Sequence, residues 1–68
     1  MRVTLKQAAM RIRQANRWMD LNAGPGWIAI AVHNGRDDSG AHIDIADDYT
    51  VDVAEIDRAL KMVASIDW

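Results

Sequence analysis

Residues 27–33, WIAIAVH, and residues 41–46, AHIDIA, are the two stretches that decide the fold. Side-chain character alternates along both with a period of two residues, which is typical of β-strands that bury one face. The positions that share the strongly apolar face are Ile28, Ile30 and Val32 in the first stretch and Ile43 and Ile45 in the second. The sequence therefore predicts two neighbouring strands.

The segment between these strands determines how they pair. Residues 34–40, NGRDDSG, are rich in residues that form turns. A two-residue turn at the start of this segment would place Asp37 opposite Val32, in the apolar row. A wider loop pairs Ile30 with Ile43 and keeps the apolar faces matched, so we expect a β-hairpin in this register.

A helix is predicted before the hairpin, over residues 5–22. Thr4 and Gln7 have the spacing of a capping box, in which each side chain satisfies a backbone N–H at the helix start. Residues 22–26, NAGPG, provide a stop signal for the helix. Apolar residues recur at three- and four-residue spacing at Leu5, Ala8, Ala9, Ile12, Ala15 and Met19.

A second helix is predicted over residues 53–66. Asp52 is suited to cap it, and Glu55, three residues later, would return a hydrogen bond to the cap. Val51 and Ile56 have the spacing of a hydrophobic staple. The apolar stripe of this helix consists of Val53, Ile56, Ala59, Leu60 and Val63.

These elements predict one α+β domain over residues 1–68, a two-layer α-β-β-α sandwich with both helices on one face of the hairpin. The chain of 68 residues has no cysteine, so neither a disulfide nor a thiolate zinc site can stabilise this small core. A two-stranded sheet also leaves its edges unpaired. The hypothesis that follows is a homodimer in which two hairpins pair along their edges.

Composition excludes several classes of protein. Half of the residues are hydrophobic and 26% are charged, which is typical of globular domains and not of disordered segments. The longest apolar run, residues 27–32, is far shorter than the roughly 20 residues that span a bilayer, and the first residues lack the apolar core of a signal peptide. We therefore expect a cytoplasmic protein without a membrane partner.

Charge is distributed unevenly along the chain. Residues 1–36 contain six Lys or Arg and one acidic residue, whereas residues 37–68 contain two basic and nine acidic residues. The two halves either neutralise each other or form separate surfaces. If the acidic half forms one surface, its carboxylates would bind a basic groove that normally holds nucleic acid. The acidic residues predicted to bind such a partner are Asp37, Asp38, Asp44, Asp47 and Asp48.

An exposed tryptophan would add apolar contact to this acidic surface. In the predicted hairpin, Trp27 lies on the outer sheet face together with Ala29, Ala31 and His33. Tryptophan is enriched at binding hot spots, and small neighbours would leave its ring accessible. The alternative is that Trp27 only covers the end of the sheet.

The sequence contains two other candidate sites. Lys6, Arg13 and Arg17 fall on one side of the predicted first helix and would contact nucleic-acid phosphates, although a pI of 5.4 is unusual for such a protein. His33 and His42 lie on the outer face with Asp44 and have the ligand chemistry of a metal site, but exposed polar histidines are the more common case. We predict no metal or other cofactor, and no catalytic residues.

In size, polarised charge and lack of a catalytic constellation, the chain resembles the small accessory proteins of phages and mobile elements. Such proteins bind and block a host machine, and anti-CRISPR inhibitors are one example. This resemblance implies a non-enzymatic protein-binding inhibitor whose partner is a nucleic-acid-processing complex. The alternative is a small nucleic-acid-binding or regulatory protein that uses the basic face of the first helix.

Overall fold

The computed structural model describes residues 1–35 and 40–65 and has an α+β fold. Within these ranges it contains two helices and five strands, and all the strand pairs are antiparallel. The elements in chain order are β1 (Arg2–Thr4), α1 (Leu5–Gln14), β2 (Trp18–Gly24), β3 (Trp27–His33), β4 (Ala41–Asp44), β5 (Thr50–Asp52) and α2 (Val53–Ser65). The α+β class is confirmed. The predicted four-element order is incomplete, because β1, β2 and β5 were not expected.

The predicted hairpin is present as β3 and β4. Ile30 lies opposite Ile43, which is the register that keeps the apolar faces matched. Beyond the last regular pair, the Ile45 backbone N–H donates to the carbonyl oxygen of Ile28 at 3.1 Å, so the pairing extends one step further.

The first helix is shorter than predicted, because it ends at Gln14 and not at Asn22. Asn16 adopts φ +58°, a left-handed conformation that ends a helix. The backbone N–H of Asn16 donates to the Arg13 carbonyl oxygen, and that of Arg17 donates to the Ile12 carbonyl oxygen. These two bonds form a Schellman motif, which redirects the chain before the predicted apolar stripe is complete.

The second half of the predicted helix is the strand β2. Residues 22–26, which were expected to stop a helix, instead form the tight turn between β2 and β3. Pro25 and Gly26 are its two central residues, and Gly26 has φ +79°, the left-handed angle that a type II turn needs at its second central position. The result is a three-stranded sheet in the order β2-β3-β4. One edge of the predicted hairpin is therefore covered by β2.

A second, two-stranded sheet joins distant parts of the chain. Val3 in β1 lies opposite Val51 in β5, and both side chains are buried. The second helix follows β5 directly, with the Asp52 carboxylate accepting from the Ala54 N–H at 3.0 Å, as expected of a cap. Glu55 does not return a bond to this cap. Its carboxylate instead accepts from Arg58 at 2.7 Å.

The core lies between the helices and one face of the three-stranded sheet, here called the inner face. Both helices, β1, β3, β4 and β5 contribute to it. The largest fully buried side chains are Ile12, Ile30, Val32, Ile43, Val51, Ile56 and Val63. In the part of the chain that the structure describes, no helix is both long and apolar enough to cross a membrane.

Candidate interaction site

The opposite face of the three-stranded sheet, here called the outer face, has a row of small residues between two tryptophans. Ala29 and Ala31 lie in its centre, on β3. Trp27 lies at one end of the face and is 52% exposed, and Trp18, which pairs with His33, lies at the other end and is 63% exposed. The alternation predicted for β3 is thus correct, and it leaves aromatic surface exposed at both ends of the sheet.

The indole of Trp27 lies against the backbone of Gly24, its neighbour across the hairpin. A Cβ atom built on Gly24 would come within 2.4 Å of the indole Nε1. The ring therefore occupies the space that any other residue at position 24 would fill. Because Gly24 has no side chain, the indole can lie over the end of the sheet.

A cleft of about 380 Å³ opens beside Trp27, where β3 begins and β4 ends. Asp47 and Tyr49 from the loop between β4 and β5 line it, together with Ile28 and Ile45. Tyr49 has φ +61° and is 62% exposed, and its backbone N–H donates to the Ala46 carbonyl oxygen. Tyr49 is not predicted from the sequence, because only this left-handed turn brings its ring to the cleft.

Asp44 adds a second carboxylate near the same end of the sheet. It pairs with Ala29, two residues from Trp27 on the outer face. Asp44 and Asp47 are both exposed, and neither has an ion pair or hydrogen bond with the residues that the structure describes. We call Trp27, Asp44, Asp47 and Tyr49 the aromatic–acidic surface.

Asp48, also predicted to bind a partner, has interactions within its own loop. Its carboxylate accepts hydrogen bonds from the Thr50 hydroxyl at 2.6 Å and from the Thr50 backbone N–H at 3.2 Å. These two bonds lower the pKa of Asp48, and the charge of Arg2 lowers it further. Arg2 in turn donates to the Thr50 hydroxyl oxygen at 2.7 Å. Asp48 thus holds the loop beside β5. The predicted partner residues Asp37 and Asp38 lie outside the described residues.

The two histidines lie on the outer face, as predicted, but His33 interacts within the sheet. Its Nε2 is 2.8 Å from an Asp20 carboxylate oxygen, and its Nδ1 accepts from the Gly35 N–H at 3.1 Å. This pattern requires the proton on Nε2 when the ring is neutral. Across residues 1–35 and 40–65, no three His, Asp or Glu side chains are placed to hold a metal ion.

A second cleft, of about 370 Å³, lies between the end of α1 and the start of β2. Arg13, Arg17 and the Trp18 indole are among its lining groups. The predicted basic face is corrected here, because Arg17 follows the Schellman motif and is not on the helix. Lys6 and Arg13, two helical turns apart, do share one side of α1.

Neutralisation between the two halves of the chain is limited. Among the side chains that the structure describes, one ion pair joins the basic half to the acidic half, with Arg11 Nη1 3.7 Å from Asp57 Oδ1. The Arg58–Glu55 pair lies wholly within the acidic half. Most of the charged side chains that the structure describes are therefore presented to solvent.

No protein-family model matches the chain, and comparisons with curated proteins and with solved structures gave no significant match.

Proposed function

We propose that this chain is a non-enzymatic protein-binding module that recognises a basic partner through its aromatic–acidic surface. One observation supports this most directly. Two exposed aromatic rings, Trp27 and Tyr49, and the Asp47 carboxylate line one cleft at the end of the sheet. Asp44 lies outside this cleft, on the outer face opposite Ala29. Aromatic anchors beside polar groups are the usual composition of a binding hot spot.

The charge of this surface selects the class of partner. Asp44 and Asp47 attract Lys and Arg through the same electrostatic field that draws phosphates to a basic groove. The partner we favour is a nucleic-acid-processing complex, whose basic groove the chain would occupy in place of nucleic acid. The chain would then act as a cytoplasmic inhibitor, comparable in general character to the phage and anti-CRISPR proteins that it resembles.

The second candidate function is direct nucleic-acid binding at the cleft between α1 and β2. Arg13 and Arg17 supply two guanidinium groups there, and Trp18 supplies a flat ring. A basic groove with an aromatic ring is the usual arrangement for single-stranded nucleic acid, since bases stack on the ring. Lys6 extends the positive charge along α1.

Affinity capture from lysate, with and without nuclease, distinguishes the two functions. We expect the chain to retain a nucleic-acid-handling complex after nuclease treatment, and Trp27→Ala to weaken binding to the purified complex about 30-fold or more, as for a hot-spot residue of about 2 kcal/mol. Asp47→Lys should weaken it as well. Asp57→Lys is the charge control, because it makes the same change in net charge on α2, where it also removes the exposed ion pair with Arg11.

Opposite results would favour the second candidate. If Asp47→Lys and Asp57→Lys bind the complex equally well, the aromatic–acidic surface is not the binding site. Capture that disappears with nuclease and with Arg13→Glu would instead assign the function to the basic cleft.

A further inference from the structure

Among the residues that the structure describes, the strand β2 has no partner on one of its edges. The pairing of β3 determines which backbone groups of β2 point to this edge. The Ile45 N–H bonds to Ile28, so the even-numbered residues of β3 direct their backbone groups towards β4. The odd-numbered residues of β3 therefore bond to β2, and their partners in β2 are the even-numbered residues. Met19, Leu21 and Ala23 are left with their N–H and C=O groups directed to the free edge.

We propose that two copies of this chain associate by antiparallel pairing of their β2 strands, with a twofold axis at Leu21. In this register Leu21 lies opposite Leu21 of the second copy, and Met19 lies opposite Ala23. All three residues that point to the edge then form hydrogen-bonded pairs, which gives six new backbone hydrogen bonds. The two three-stranded sheets become one sheet of six strands. This proposal does not depend on the proposed function.

Apolar side chains on the inner face of β2 fit this register. Leu21 lies opposite Ile30 and on the same side of the sheet, yet it is 56% exposed. Helix α1 ends at Gln14, and Leu21 is not among the residues that pack on the core. At the twofold axis the two Leu21 side chains would cover each other, as cross-strand apolar pairs do.

The outer face brings no like charges opposite each other in this register, and its side chains are complementary in size. Asp20 of one copy lies opposite Asn22 of the other, so no two like charges face each other across the interface. Trp18 lies opposite Gly24, which has no side chain and is covered by the indole of Trp27 in its own copy. The pairing thus places Trp18 of one copy beside Trp27 of the other.

Sedimentation measured over about 5 µM to 1 mM tests the association. We expect a monomer–dimer equilibrium in this range, and a single monomeric species at about 1 mM would overturn the proposal. Leu21→Lys places two like charges at the twofold axis and should raise the dissociation constant at least tenfold. An unchanged dissociation constant for this variant would also overturn it.

Two substitutions at position 22 test the register, because Asn22 is exposed and faces Asp20 of the second copy. Asn22→Lys should lower the dissociation constant, because it places a positive charge opposite Asp20, and Asn22→Asp should raise it. Each change should be roughly two- to tenfold, because the twofold axis makes the pair occur twice in the dimer. Equal effects of the two variants would refute the pairing about Leu21.

Hydrogen exchange of the unmodified protein provides a test that needs no variant. The amides of Met19, Leu21 and Ala23 should become protected as concentration rises, whereas those of Asp20 and Asn22 should be protected at all concentrations because they bond to β3. Protection that is independent of concentration at all five amides would contradict the proposal.

Discussion

The packing of Trp27 on Gly24 leads to a prediction about how the aromatic–acidic surface is held in place. Gly24→Ala adds one methyl group, whose carbon would lie 2.4 Å from the indole Nε1, where 3.4–4 Å is ordinary contact. The ring must therefore move by about 1 Å. Because the indole is the exposed end of a rotatable side chain, we expect it to turn away, at a cost of about 1 kcal/mol for an off-rotamer side chain.

Gly26→Ala is the matched control for this change, two residues along the chain in the same turn. A Cβ atom on Gly26 has nothing within 4 Å, but φ is +79°, a conformation that side chains disfavour. This variant should therefore lose about 1–2 kcal/mol through backbone strain alone. Both variants should unfold at lower temperature, by roughly 4–8 °C per kcal/mol in a domain of this size.

Fluorine NMR of protein labelled with 5-fluorotryptophan distinguishes displacement of the Trp27 indole from backbone strain. We expect Gly24→Ala to shift the Trp27 resonance and to weaken partner binding, whereas Gly26→Ala should leave that resonance in place. An unchanged Trp27 signal in Gly24→Ala would refute the argument, because the ring would then not lie over Gly24.

Two further predictions concern stability. Asn16→Val should lower the free energy of unfolding by about 1–2 kcal/mol, because a β-branched residue is strained at φ +58°. Asn16→Gly should leave the free energy of unfolding unchanged or raise it. Equal urea midpoints for the two variants would contradict this prediction. The pKa of Asp48 is lowered in the folded state, so its hydrogen bonds with Thr50 stabilise the fold at neutral pH, and this contribution is lost as pH falls below about 4. Thr50→Val removes the hydroxyl bond to Asp48. Between pH 7 and pH 3, its free energy of unfolding in urea titrations should therefore fall less than that of the unmodified protein. Equal decreases would show that the hydroxyl bond is not responsible.

The hairpin and the two helix starts could be predicted from sequence because their signals are local. The capping box of Thr4 and Gln7 forms as expected, with bonds of 3.2 and 2.9 Å. The alternation in β3 and β4 also determines which side chains share a face, and so it predicts that Trp27 and Asp44 both lie on the outer face.

The end of α1 and the small sheet were missed for two different physical reasons. Ala15 and Met19 continue the helical stripe in sequence, but Asn16 ends the helix, and Met19 then packs on the core from a strand. Pairing of this segment with β3 therefore outweighs the helical spacing of its apolar residues. The strands β1 and β5 have three residues each, too few to show alternation, and their pairing is visible only once the chain has folded.

The same reasoning applies to the candidate site. Trp27, Asp44 and Asp47 could be proposed from residue type and strand period. The position of Tyr49 could not, because it depends on one left-handed residue in a loop. Arg17 lines the same cleft as Arg13, but it lies beyond the end of the helix and not on the predicted helical face.

The pairing of β1 with β5 has a consequence for folding during synthesis. Val51 leaves the ribosome 48 residues after its partner Val3, an interval of about 2–10 s at ordinary translation rates. A helix such as α1 forms and melts within about a microsecond. For most of the translation interval it has no stable cover, because β5 and α2 have not yet been synthesised. The small sheet therefore closes only after β5 has emerged, and until then the side of α1 that packs on β5 and α2 is uncovered.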